Sequence, residues 1–197
     1  MRSSFNRKAT RMTMAVALLA VTAQAAAAQA KGGTSSFGLG YTDIGAVVGL
    51  GGLNGASASF GGRFEHAIKA LPDLGNGILG IGVSADYYSW SAGFTGYSWS
   101  YKYIPIGVTA NYHFKVENTK FDPFIGLGLG YNLVSCSFSG NGSSSNCGYS
   151  SGIYAIGRVG GRYFFNPKMA AYADAGAGAA TLNIGLMWAS PIAAASG

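Results

Sequence analysis

Charge is scarce in this sequence. Only 10% of the 197 residues are charged, against about 25% in an ordinary soluble domain, and no more than seven are acidic. A water-soluble globule of this size needs more charge to cover its surface. Disorder is excluded from the other side, because a disordered chain has low hydrophobicity and high net charge, whereas here the hydrophobic fraction is 49%. Thirteen basic residues, scattered along the chain, do not form the Lys/Arg-rich patch of a nucleic-acid binder. Long apolar runs are missing too: after residue 30 none is long enough for a transmembrane helix. Two cysteines without a neighbouring histidine make no zinc site. No cofactor motif is present either. Gly126-Leu-Gly128-Leu-Gly130 lacks both the spacing and the following helix of a dinucleotide loop. What abounds is glycine (32), tyrosine (12) and phenylalanine (11).

The formal charge of +6 sits mostly at the N-terminus. Arg2, Arg7, Lys8 and Arg11 precede the short apolar run Met14–Ala23, and small residues follow at Ala23-Gln24-Ala25 and Ala28-Gln29-Ala30. A basic region, a short apolar core and an A-x-A site describe a secretory signal peptide. Residues 1–30 are therefore expected to be removed, with Ala28 and Ala30 at the favoured cleavage site and cleavage after Ala25 as the alternative. The four lost positive charges leave nine basic and seven acidic residues.

Past residue 30 the dominant pattern is alternation. Ile104, Ile106, Val108, Ala110, Tyr112 and Phe114 alternate with Pro105, Gly107, Thr109, Asn111 and His113. Ile125, Leu127, Leu129, Tyr131 and Leu133 alternate with Phe124, Gly126, Gly128, Gly130 and Asn132. Successive strand side chains point to opposite faces, so each segment has one apolar face and one small or polar face. With turn signals at Asn54-Gly55, Pro72–Gly77, Gly93–Gly96, Glu117–Lys120, Gly140–Ser143 and Asn166–Lys168, the chain divides into eight strands. They are expected near 43–52, 55–68, 77–92, 97–116, 121–138, 147–165, 169–177 and 180–189. Strand one is ambiguous before Thr42, because Phe37, Leu39 and Tyr41 lie on the opposite parity from Ile44, Ala46 and Val48. Phe64–Leu71 is compatible with a helical turn, and Pro105 is expected at a bulge near a rim.

The small face decides which side is inside. Its ionisable strand positions are Arg63, Glu65, Asp86, Arg158, Arg162 and Asp174, with His113. Three arginines against three acids suit a compensated interior network, since buried charges need partners. The apolar face ends in aromatics, Tyr112, Phe114, Tyr163, Phe165 and Trp188 at one rim and Tyr87 and Tyr131 toward the other. Aromatic girdles at both interfaces mark a transmembrane barrel. The expected fold is all-β, an eight-stranded antiparallel up-and-down transmembrane barrel over 43–189. Residues 31–42 form a lead-in or the start of strand one, and 190–197 a short tail.

In Tyr103–Phe114, Asp122–Tyr131 and Tyr172–Ala179 followed by the last strand, the chain resembles the small outer-membrane β-barrel family of Gram-negative bacteria, the OmpX/OmpA-type barrels. The resemblance implies an outer-membrane location, contact with outer-membrane lipids and a barrel-assembly machinery as partner during biogenesis. It also implies a C-terminal assembly signal of the form polar-x-Gly-x-x-aromatic-x-aromatic. Asn183, Gly185 and Trp188 match that signal, with Ser190 where the final aromatic belongs.

Cys136 and Cys147 flank the polar tip between strands five and six and are expected to form a disulfide, as exported proteins allow. Some barrels of this kind modify lipid A, the deacylases with a His-x-Ser pair. His66 is followed by Ala67-Ile68 and His113 by Phe114-Lys115, so that pair is absent and no enzyme is expected. An interior just wide enough for its own side chains points to a non-catalytic envelope component without an open pore. Outer loops such as 92–99 and 137–146 are then available to a surface ligand. The alternative is a narrow conduit or small-ligand barrel lined by the named charges.

Overall fold

The computed structural model describes residues 37–140 and 148–189. The expected signal segment with Ala28 and Ala30, the first half of the lead-in, Cys147 and the 190–197 tail lie outside the described residues. Eight strands follow in chain order: β1 (Thr42–Leu50), β2 (Ala58–Leu71), β3 (Gly77–Phe94), β4 (Tyr97–His113), β5 (Phe121–Gly140), β6 (Gly152–Asn166), β7 (Met169–Ala177) and β8 (Leu182–Ala189). Each pairs antiparallel with the next, and β8 pairs with β1, so the sheet closes into a barrel. Closure removes the free edges that an open sheet would leave unpaired.

Both ends of the described chain lie at one end of the barrel, here the terminal end, with the turns 72–76, 114–120 and 167–168. The other, loop end carries 51–57, the two-residue turn Thr95-Gly96, the β5–β6 connection and 178–181. At the loop end β3, β4 and β5 run past their neighbours, pairing with one another as far as Phe94, Tyr97 and Gly140. β5 meets β6 only up to Asn132, and β3 meets β2 only up to Tyr87.

The expected segments match these strands within a few residues, with four differences of detail. β1 begins at Thr42, and the off-parity Phe37, Leu39 and Tyr41 precede it. Phe64–Leu71 is strand, its irregularity coming from a register shift between Ala67 and Lys69; a second shift lies between Phe164 and Asn166. Pro105 sits at no bulge: it lies opposite Asn132, and β4 keeps one register with β3 on either side of it. β6 begins at Gly152, several residues later than expected.

The apolar face points outward. Leu127 (73% exposed), Ile153 (77%), Phe60 (67%) and Leu129 (64%) are among the most exposed residues. Glu65, Asp86, Arg162 and Asp174 are buried within. A water-soluble barrel has the inverse arrangement; this exterior is built for hydrocarbon. Tyr163, Phe165 and Trp188 ring the exterior near the terminal end, and Tyr87 and Tyr131 bound the apolar band toward the loop end. Beyond that boundary the outward positions of the projecting strands switch to Ser89, Ser91, Ser98, Ser100, Lys102, Ser135, Ser137 and Ser139.

Candidate functional site: the charged lumen

The lumen is filled in layers. Nearest the terminal end, the Arg162 guanidinium of β6, with no exposed surface, lies between three acids. Its Nε is 3.0 Å from Asp43 Oδ2, an ion-pair contact misaligned for a hydrogen bond. Its Nη1 donates to Asp122 Oδ2 at 3.1 Å, and its Nη2 donates to Glu65 Oε2. His113 of β4 joins the same cluster, Nδ1 3.0 Å from Asp122 and Nε2 2.8 Å from Glu65 Oε1. Asn111 Nδ2 donates to that Glu65 oxygen at 2.8 Å. A carboxylate on each ring nitrogen is served by two N–H donors, as the imidazolium supplies. The cluster draws on β1, β2, β4, β5 and β6 and so crosses the barrel from wall to wall.

Aromatic faces enclose it. The Arg162 Cζ lies 5.0 Å from the Phe37 ring, 5.5 Å from Phe124 and 5.8 Å from Tyr172, within cation–π range. Phe37 also stacks on His113, with centroids 3.7 Å apart and planes at 14°.

Midway along the lumen two further ion pairs face a small cavity of about 60 Å³. Arg63 Nη1 and Nη2 each donate to Asp86 at 3.0 Å, a bidentate pair between β2 and β3. Arg158 Nε donates to Asp174 Oδ1 at 2.8 Å, and its Nη1 to the Ala180 carbonyl at 2.6 Å. Asn183 donates to Asp174 at 2.8 Å, and the Tyr172 hydroxyl donates to the same carboxylate. Asn183 therefore holds the lumen network as well as its place in the expected assembly signal. Trp188 of that signal faces outward, and Gly185 lies between Tyr172 and Val47 in the ladder. Two positions show why the wall beside these charges is glycine. A Cβ on Gly61 would collide with the Asp86 carboxylate, and one on Gly130 would fall on the Tyr154 ring.

At the loop end the lumen holds large rings. Tyr88 stacks on Tyr103 at 4.8 Å and Trp90 on Tyr101 at 4.4 Å, with Tyr149 edge-on to Trp90 and Tyr101. Leu53 and Ala180, from two loops, pack into the same cluster. The expectation of a uniformly small inner face thus fails here: where the barrel carries no ion pairs, aromatics occupy its width.

All six predicted lumen charges point inward: Arg63, Glu65, Asp86, Arg158, Arg162 and Asp174. Asp43 and Asp122 were missed, although both fall within the expected strands 43–52 and 121–138 and on their inward parity. Of the expected disulfide, Cys136 lies on β5 in the projecting sheet, and Cys147 is outside the described residues. Among the described residues no group of His, Cys, Asp and Glu could hold a metal ion.

No protein-family model and no curated protein matches the chain. Solved structures do. The N-terminal β-barrel domain of OprF from Pseudomonas aeruginosa is 15% identical over 78% of this chain and 100% of that one, with a TM-score of 0.48. Neisserial surface protein A is 19% identical over 80% of this chain and 96% of that one, with a TM-score of 0.43. A de novo designed transmembrane β-barrel is 16% identical over 78% of this chain and 98% of that one, with a TM-score of 0.46.

Proposed function

We propose that the chain is an integral outer-membrane β-barrel, a non-catalytic structural or surface-contact component of the envelope with no open diffusion pore. One observation carries the reading: the barrel turns an apolar belt outward and keeps Arg63, Arg158, Arg162 and five of the seven acids, Asp43, Glu65, Asp86, Asp122 and Asp174, inside. Placed in water, that exterior is an aggregation surface; placed in a bilayer, it is matched to its solvent. The ends of the described chain and the turns beside them then face the periplasm, and the projecting β3–β5 sheet faces away from the cell. The aromatic layer, the two central ion pairs and the Arg162 cluster stacked along the lumen support a filled interior over a channel. The His113 imidazole is held by carboxylates on both nitrogens, which supports a packing role for it over activation of a nucleophile.

The test is cell fractionation followed by electrophoresis in detergent. The protein is expected in the outer-membrane fraction and is expected to migrate differently unheated and boiled. Recovery in the soluble periplasm overturns the membrane reading. Planar-bilayer recordings on the purified barrel are expected to show no steady conductance; stable open-channel steps overturn the filled-lumen reading alone.

A further inference from the structure

The lipid-facing side of β3, β4 and β5 does not end with the apolar band. Ile104 lies opposite Leu133 in the last apolar row, and the rows beyond it on the same face carry hydroxyls. Ser89, Lys102 and Ser135 are neighbours across the three strands, then Ser91, Ser100 and Ser137, then Gly93, Ser98 and Ser139. These positions are exposed or half-exposed, and Ser91 Oγ lies 3.1 Å from Ser100 Oγ. Paired strands stand about 4.8 Å apart and same-face residues about 6.8 Å apart along a strand. The face is therefore a grid of hydroxyls at the scale of a sugar ring. Charge is distributed away from it. Lys69, Lys115, Lys120 and Lys168 all lie at the terminal end. The stretches 88–103 and 133–153, by contrast, hold Lys102 as their single charged residue and contain no acid.

We propose that this face binds the uncharged sugar headgroup of a glycolipid in the outer leaflet. The proposal rests on the membrane reading of the barrel and not on its role in the envelope. Continuity with the apolar band points to a lipid as the occupant. A molecule whose acyl chains lie along Ile106, Leu129, Tyr131 and Leu133 brings its own headgroup against the serine rows beyond them. Each serine hydroxyl both donates and accepts hydrogen bonds, as sugar hydroxyls do. Lys102, in the row beside the hydrocarbon, offers three donors to glycosidic and ester oxygens. A phosphorylated headgroup calls for a cluster of Lys and Arg, or for carboxylates that share a divalent cation with the phosphate. The serine rows supply neither. The lysines of the terminal end suit the anionic phospholipids of the other leaflet, so the two rims of one barrel are matched to unlike leaflets.

The test is competition between lipids, read by native mass spectrometry of the detergent-refolded protein. Digalactosyl diacylglycerol, an uncharged probe, is offered together with phosphatidylcholine of the same acyl chains and, separately, with bisphosphorylated lipid A. The sugar lipid should be retained about tenfold over phosphatidylcholine, the equivalent of one or two net hydrogen bonds, and should also be retained over lipid A. Ser91→Ala, Ser100→Ala and Ser137→Ala together should bring its retention level with phosphatidylcholine. Threonine at the same three positions keeps the hydroxyls and should restore it, which covers the case in which the alanine form folds poorly. Heated and unheated electrophoresis of every sample shows whether the barrel is intact. Equal retention of the sugar lipid and phosphatidylcholine by an intact barrel overturns the proposal and leaves the membrane reading standing. Unchanged selectivity in the alanine form overturns the serine rows as the site. Retention of lipid A above the sugar lipid overturns the uncharged headgroup. Acyl-free digalactosylglycerol bound as tightly as the whole lipid overturns the lipid assignment in favour of a free glycan.

Discussion

Asp43 and Glu65 lie directly opposite each other on β1 and β2, two buried carboxylates at one cross-strand position. Like charges so placed repel, and neither can reach bulk water to relieve it. The relief comes from the far side of the barrel, where β6 sends Arg162 across the lumen to touch both. The pair is stable only because the sheet closes, so cluster and barrel depend on each other.

Arg162→Met tests that dependence. It leaves Asp43, Glu65 and Asp122 facing one another, with His113 as their sole cation. A loss of about 3–5 kcal/mol is expected, the range for removing one partner of a buried ion network, measured as the urea midpoint of the detergent-refolded barrel. Arg162→Lys should recover less than half of it, since one ammonium cannot serve three carboxylates as a planar fork does. Adding Asp43→Asn to Arg162→Met should reduce the loss; strict additivity would mean the two residues do not interact.

Arginine scanning of the exterior checks the lipid-facing assignment. Leu129→Arg, in the middle of the apolar band, should cost about 2–4 kcal/mol in a bilayer-refolded barrel. Ser137→Arg, on the same face of β5 but in the projecting sheet, should change stability by no more than about 0.5 kcal/mol. Equal effects at the two positions would place the membrane boundary elsewhere.

Gly61→Ala is expected to destabilise by about 1–3 kcal/mol, the usual cost of overpacking, because the added methyl meets the Asp86 carboxylate and the Ala85 carbonyl. Gly157→Ala is the control. Its Cβ would point outward and meet only a Leu127 methyl at 3.8 Å. Thermal shift in one detergent suffices to rank the two.

For the expected Cys136–Cys147 disulfide, a membrane-impermeant thiol reagent on intact cells should label neither residue until a reductant is added. Closing a loop of about a dozen residues contributes roughly 3 kcal/mol in the chain-entropy account, so reduction should lower the unfolding midpoint. Labelling without reductant sinks the bridge.

Alternation carried most of this fold in the sequence, because a strand with lipid on one side and a narrow lumen on the other has no freedom in which residues face which way. Carrying the same parity to the first residues of the expected strands 43–52 and 121–138 recovers Asp43 and Asp122, the two acids that complete the Arg162 cluster. Phe37 carried no such signal: it lies outside any strand, and its burial depends on where the chain crosses the mouth. The inward rings Tyr88, Trp90, Tyr101 and Tyr103 were legible in parity but not in role, since aromatics at a strand end suit a girdle and a plug equally. The shift after Ala67 shows in the sequence only as the helix-like pattern of Phe64–Leu71, and the one after Phe164 leaves no trace, because one extra residue at a rim disturbs no long apolar pattern.

The barrel's seam joins β1 to β8, with Asp43 paired to Ala189 and Leu50 to Leu182. The first strand made thus waits for the last one, and the contacts that close the ring span nearly the whole described chain. Such distant pairings are slow to form. Until β8 arrives, β1 has one edge unpaired and Arg162 has no closed wall to reach across. A chain stopped before Leu182 is therefore expected to yield no smaller barrel, only an open sheet for quality control to destroy.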